Sequence, residues 1–235
     1  MTRVDEIAAG IYRVSTPSDI LPGGFTFNQF LILDDEPLLF HTGLRAQFPA
    51  VKEAIGKVMP VEKLRYVAFS LVEADECGAL NQILAVAPRA VPVCSGTAAM
   101  VSINDLADRA PRALADGETL SLGRHKVLWH DTPHLPHSWE SGLLTETTTK
   151  TFLCGDVLSH GGADVPPVTE GDILGPSEGM RGAMNYYSQA TDAATTLRKL
   201  AAFQPTTLGL MHGSSWKGDG AKLLNALADR LAGTA

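Results

Sequence analysis

Glu73, Asp75 and Glu76 place three carboxylates within four residues of a 235-residue chain, with no cationic side chain between them. Such a cluster repels itself unless a cation or strong solvation neutralises it. Glu73 and Asp75, two apart in a short loop, can aim at one centre while Glu76 turns toward another. Three further places carry side chains of the same chemical type: His134 and His137 in Asp131-Thr-Pro-His134-Leu-Pro-His137, Asp156 after Cys154-Gly155, and His212 before Gly213. Taken singly, each has a plainer explanation. Acidic residues favour helix starts, an Asp after Gly suits a turn, and a lone His after a strand is commonly a packed, hydrogen-bonded one. Taken together they follow one order, each just beyond the end of an expected strand. Loops at such strand ends converge on one crevice. Carboxylates and imidazoles gathered there would suit a metal site.

The elements that must position these groups follow from patterning. Residues 25–33 (FTFNQFLIL) and 37–41 (PLLFH) read as two strands joined by a turn at Asp34-Asp35-Glu36. Residues 49–58 have helical spacing, and residues 64–70 (LRYVAFS) form an apolar run suited to a buried strand. A helix is expected at 78–87, a strand at 90–94 and a helix near 97–109. Strands are expected at 117–122, 126–130, 141–146 and 151–155, with Gly or polar turns between them. Residues 157–178 hold several Gly and Pro and show no period, which suggests a lid or binding loop. A helix over 178–202, a strand over 206–211 and a helix over 218–232 complete the chain. The close strands between 117 and 155 argue against an all-parallel sheet, and no Gly-rich phosphate loop follows the first strand. The order predicts a single domain over 1–235 of α/β class, an αββα sandwich of two mixed sheets with outer helices.

Composition sets the bounds. The chain is 45% hydrophobic and 19% charged, which fits a globular protein and not a disordered one. Nineteen Lys and Arg against 26 Asp and Glu give a net charge of −7 with no basic run, so nucleic acid and anionic membranes are poor partners. No signal pattern or long apolar span is present. Cys77, Cys94 and Cys154 are too scattered for a disulfide framework or a CxxC zinc site, which suits a cytoplasmic setting.

With these residues in view, the chain resembles the metallo-β-lactamase superfamily, and within it the flavodiiron proteins and their standalone relatives, the oxygen-binding diiron proteins. Their first motif, H-x-E-x-D-H-x-G, is matched by Leu71-x-Glu73-x-Asp75-Glu76-x-Gly78; their H-W-P-D-S-M is matched by His134-Leu-Pro-His137-Ser138-Trp139. Their bridging Asp matches Asp156, and their last ligand matches His212. The hydrolase pattern H-x-H-x-D-H would need His at 71, 73 and 76, and none is present. A carboxylate at 73 where a zinc hydrolase has imidazole favours a harder ion such as iron or manganese.

The resemblance implies a dinuclear site with two metal ions, expected to be iron, with manganese or zinc as alternatives. Its first metal would take Glu73, His134 and Asp156, the usual His being lost to Leu71. Its second would take Asp75, Glu76, His212 and the shared Asp156. His137 and His41 would stand behind the ligands and orient them. Cys77, Cys154, His160, Trp139 and Trp216 lie near these motifs, with ordinary packing as the alternative, while His125 and His130 read as strand or turn residues. The implied function is binding or reduction of O2 or a similar small oxidant, by a homodimer. Since the chain ends at Ala235 without room for a flavin domain, electrons would come from a separate donor. The alternatives are a metal-dependent hydrolase of an ester, lactone or phosphodiester, or a sensor whose site no longer catalyses, which Leu71 would favour.

Overall fold

The computed structural model describes residues 1–233. In chain order it begins with β1 (Arg3–Ala8), β2 (Ile11–Ser18), β3 (Phe25–Ile32), β4 (Leu38–Phe40), α1 (Phe48–Gly56) and β5 (Tyr66–Ala68). α2 (Ala74–Cys77), α3 (Leu80–Val86) and β6 (Val91–Ser95) follow. The helix expected near 97–109 is broken into α4 (Gly96–Ala98), a π-helical stretch (Ala99–Ile103) and α5 (Asn104–Leu106), after which comes β7 (Arg112–Leu114). The rest comprises β8 (Thr119–Ser121), β9 (Lys126–Asp131), β10 (Gly142–Glu146), β11 (Thr151–Leu153), β12 (Val168–Thr169), α6 (Leu174–Met184), α7 (Ala193–Ala201), β13 (Thr207–Gly209), β14 (Ser215–Lys217) and α8 (Gly220–Ala232).

Two seven-stranded mixed sheets result, one ordered β1-β2-β3-β4-β5-β6-β7 and the other β12-β14-β13-β11-β10-β9-β8. The chain passes from the first sheet to the second once, between Leu114 and Thr119. Alternation along the strands builds three apolar layers. On β3, Phe30 and Ile32 face the layer between the sheets while Leu31 faces the outer helices; on β4, Leu38 and Phe40 point inward and Leu39 outward. In the second sheet Leu144 and Leu153 point inward, and Leu143 and Phe152 outward. α1 buries Val51, Ala54 and Ile55 against the first sheet, and α8 buries Leu224, Leu227 and Ala228 against the second. Both sets keep the three- and four-residue spacing of one helical face. Pro in the first turn of α1 and Asp219, whose side chain accepts the Lys222 N–H at 2.9 Å, mark their starts. No helix among the described residues is long and apolar enough to cross a membrane.

The sandwich is the one expected, with local departures. β1 and β2 were not anticipated, because buried polar residues such as Arg13 and Ser15 interrupt the apolar alternation. The helix expected over 178–202 is two helices, since Asn185 adopts a left-handed conformation (φ 49°) that closes α6. The loop at 157–178 contains the short β12 and the start of α6.

Parallel pairings aim the strand ends. β4 runs parallel to β5, and β11 to β13, while β9 is antiparallel to β10 and β10 to β11, so β9, β11 and β13 share a direction. The two sheets meet at these ends: the Gly142 N–H donates to the Ser70 carbonyl at 3.0 Å and the Asn28 N–H to the Met211 carbonyl at 2.9 Å. At Gly142 a Cβ would lie 2.0 Å from the indole of the fully buried Trp129. Gly142→Ala is therefore expected to destabilise the protein by about 1–3 kcal/mol, the usual cost of overpacking, as read from urea unfolding.

Candidate metal centre

Residues after β4, β5, β9, β11 and β13 meet in one crevice. After β5 the chain turns into α2, with Glu73 at its N-cap position and Asp75 and Glu76 in its first turn. The Thr42 N–H donates to the Glu76 carbonyl at 2.7 Å, fixing this turn against the end of β4. Glu76 is fully buried. The Ser70 hydroxyl donates to Glu76 Oε1 at 3.1 Å and lies 2.9 Å from His41 Nε2, while Glu76 Oε2 has no hydrogen-bond partner. Gly155, at φ 51°, lets the loop carrying Asp156 approach Ser70, where a Cβ would lie 2.9 Å from the hydroxyl.

His212 is held on every side. Its Nδ1–H donates to the Thr26 carbonyl at 2.7 Å, which leaves Nε2 facing the crevice, 3.1 Å from Asp156 Oδ1 and 3.4 Å from Asp75 Oδ2. Phe25 stacks on the ring at 4.0 Å and Phe27 meets it edge-on at 5.5 Å. The Gly213 carbonyl accepts from Arg13 at 2.8 Å and from Asn28 at 2.9 Å, and the Gly213 N–H donates to Thr26 Oγ1 at 2.8 Å. Across the crevice, His137 Nε2 lies 2.9 Å from Glu73 Oε1.

Two groups of donor atoms lie within 4.8 Å of one another: Glu73, His137 and Asp156, and Glu73, Asp75 and Glu76. Asp156 belongs to the first and also touches His212. Burial raises the pKa of Glu76, and the charges of Asp156, Asp75 and Glu73 raise it further. Burial also raises Asp75. Burial disfavours the charged form of Asp156 too, but His212, His137 and His41 outweigh it and lower that pKa. Burial alone would lower His212, yet Asp156 and Asp75 raise it; burial opposes the rise at His137, where Glu73 prevails. His41 is pushed down to about 3 by burial, against the pull of Asp156, and is neutral. Asp156 Oδ1 stands at ion-pair distance from His212 without hydrogen-bond alignment and has no hydrogen-bond partner. Buried carboxylate oxygens without donors, beside imidazole nitrogens, are what bound cations complete.

The structure thus brings Glu73, Asp75, Glu76, Asp156 and His212 together, but not His134. His134 is exposed at φ 63°, its N–H donating to the Ser138 carbonyl at 2.7 Å. The loop turns between the two histidines and presents His137, expected behind the ligands, in its place. The spacing alone offers two histidines three apart and no means of choosing. His41 does stand behind Glu76, through Ser70. Leu71 is buried and offers no donor. Cys94 and Cys154 are buried and Cys77 half-buried, with burial raising the thiols of Cys77 and Cys94 to about 12. His160 packs on Gly213 and accepts the Ser214 N–H at 3.1 Å, Trp216 donates to Gly171, and Trp139 is exposed. His125 pairs with Glu146, and His130 lies 2.8 Å from the Thr145 hydroxyl. Thr26, Asn28 and Ser70 do not stand out as chemistry in the sequence, although polar residues inside an apolar strand are a signal for the first two. Nor does Tyr186, whose hydroxyl donates to the Asp156 carbonyl at 3.3 Å.

A family model described as ODP family beta lactamase matches residues 25–197. The rubredoxin-oxygen oxidoreductase of Megalodesulfovibrio gigas is 30% identical over 144 residues, covering 59% of this chain and 35% of that protein. The nitric oxide reductase of Moorella thermoacetica is 24% identical over 217 residues, covering 87% of this chain and 53% of that protein. The crystal structure of the flavodiiron protein from Giardia intestinalis superimposes with a TM-score of 0.80 at 19% identity, covering 98% of this chain and 59% of that one. At that identity the likeness is one of fold. The chain spans between a third and about half the length of the curated relatives it matches.

The shared hydroxyl of Ser70 generates a test of the site's inner wall. Ser70→Ala leaves both Glu76 Oε1 and His41 Nε2 without that partner. A loss of about 1–3 kcal/mol is expected in chelator-treated protein, the cost of an unsatisfied buried polar group, as measured by thermal and urea unfolding.

Proposed function

The chain belongs to the ODP family of beta-lactamase domains, and from that premise we propose that it holds two metal ions, preferably iron, at which O2 or a similar small oxidant is bound or reduced. One observation carries the reading: four carboxylates and two histidines converge, with buried oxygens of Glu76 and Asp156 lacking donors. The ligand assignment follows the geometry. Glu73, His137 and Asp156 would hold the first metal, and Asp75, Glu76, His212 and the shared Asp156 the second. An oxygen-rich set of this kind favours iron or manganese over zinc, and it is the inventory of ligands used by carboxylate di-iron sites on helical bundles.

When bound, iron would supply the one-electron chemistry that reduction of a small oxidant requires. The chain's residues do the rest. The Thr26 carbonyl sets the tautomer of His212, so that Nε2 is the donor, and Phe25 and Phe27 fix its plane. Ser70 orients Glu76 and is backed by neutral His41. Tyr186 ties the end of α6 to the backbone of Asp156. The names of the two curated relatives, for oxygen and nitric oxide reduction, support this chemistry. Electrons would arrive from a donor outside this core.

Metal analysis and titration test the proposal. Purified protein reconstituted with ferrous iron is expected to hold up to two ions per chain, with reductant-dependent O2 consumption. Stoichiometric zinc with no iron uptake would overturn the iron assignment. Asp156→Ala should lose both ions together. His137→Ala should weaken the first site at least about tenfold, whereas His134→Ala should leave metal content unchanged; the reverse pattern would restore His134 as the ligand.

Leu71 offers a second measurement. With no donor there, the first site has one ligand fewer than the second, and unequal occupancy is expected. Leu71→His should raise metal content toward two ions per chain if the imidazole reaches the centre. If the imidazole stays in the apolar surroundings of Leu71, a lower melting temperature without added metal is expected instead.

A further inference from the structure

The crevice above the proposed metals is far larger than a diatomic oxidant needs. It opens into a cavity of 560 Å³. A molecule the size of water takes about 30 Å³ of liquid volume, and cavities of roughly 300–1,000 Å³ hold drug-sized organic ligands. Its composition is divided. The floor is the cluster of Glu73, Asp75, His137, Asp156 and His212, and the walls above it are apolar. Leu21 comes from the loop between β2 and β3, Phe25 and Phe27 from β3, Leu44 from beyond β4, and Met180 and Met184 from α6. These walls therefore come from separate parts of the chain around one space. Among the described residues that line it, none is Lys or Arg.

α6 faces the cavity from outside the layered core. Only Ser177 of this helix is buried, and Met184 is 49% exposed at the rim. Its end is pinned through Tyr186 to the Asp156 carbonyl, and through Tyr187, whose hydroxyl accepts the Leu158 N–H at 3.3 Å. An apolar wall left open to solvent beside a polar floor is costly unless something covers it.

We infer that this cavity binds an apolar organic molecule with a single oxygen-bearing head group, its body against α6 and β3 and its head at the metal centre. The head-group half of this rests on the metal reading above; the apolar half does not. No Lys or Arg lines the walls, and His137 and His212 already face the carboxylates of the floor, so an anionic head would depend on bound metal for its positive charge. Methionines and phenylalanines suit a body of variable shape, since Met adapts to irregular apolar surfaces. A flexible aliphatic chain fits this better than a rigid polar one.

The test uses two homologous series as probes on the whole chain. Titration calorimetry with butyrate, hexanoate and octanoate on metal-loaded protein should show affinity rising with chain length, at most about fourfold per methylene. Hexanol and octanol, which need no metal, should show the same rise in chelator-treated protein. Leu44→Trp, which fills the cavity, and Met184→Glu, which puts a charge on its wall, should each weaken octanoate at least tenfold while metal content stays unchanged. Chain-length-independent binding in both series overturns the inference and leaves the metal reading standing. Failure to take up metal, with the alcohol series still length-dependent, overturns the metal reading and the head-group half while supporting the apolar site. A length dependence unaffected by both variants places the binding elsewhere and overturns the inference.

Discussion

Mutual repulsion among Glu73, Asp75, Glu76 and Asp156 is the constraint that organises this molecule. Carboxylates brought so close together, with Glu76 and Asp156 buried, cannot all stay charged unless positive charge is supplied. Without metal, His212 and His137 supply some of it and are themselves pulled toward protonation. Glu76 responds the other way and is pushed toward its neutral form. Protons would thus compete with the proposed metal ions for these carboxylates, and the fold must hold the oxygens in place in either case.

That need explains how the surrounding structure is anchored. The acidic turn after β5 is tied to the end of β4 through Thr42, and the His212 loop to β2 and β3 through Arg13, Asn28 and Thr26. Arg13, Thr26 and Asn28 are buried polar residues within β2 and β3, and Thr42 is buried just beyond β4. Each has partners close to the crevice, and Arg13 retains a pKa of about 10 although burial depresses it. Layered packing brings the two sheets' ends to one edge, and polar anchors set the positions of the groups there.

Much of the architecture was legible because the strands alternate cleanly and the helices keep one apolar face. The run of close strands between 117 and 155 already argued against an all-parallel sheet. β1 and β2 escaped notice because Arg13 and Ser15, buried for the sake of the neighbouring loop, break the pattern that identifies a strand. The acidic triplet, Asp156 and His212 stood out in the sequence because each lies within a short segment after a strand. The choice between His134 and His137 did not, since it depends on how the loop between β9 and β10 turns. Leu135 is fully buried in that turn while His134 is left outside. The apolar cavity was invisible too, because its walls are assembled from segments far apart in the chain.

The single passage of the chain from one sheet to the other has a further meaning. Everything before Leu114 builds one half of the sandwich and everything from Thr119 builds the other, and no strand of either is paired within the partner sheet. The proposed metal centre follows the same partition: Glu73, Asp75 and Glu76 come from the first half, and His137, Asp156 and His212 from the second. Neither half carries all six of these side chains. Metal bound there would be a further tie between the two halves, added to the hydrogen bonds that already join them at this edge, from Gly142 to Ser70 and from Asn28 to Met211.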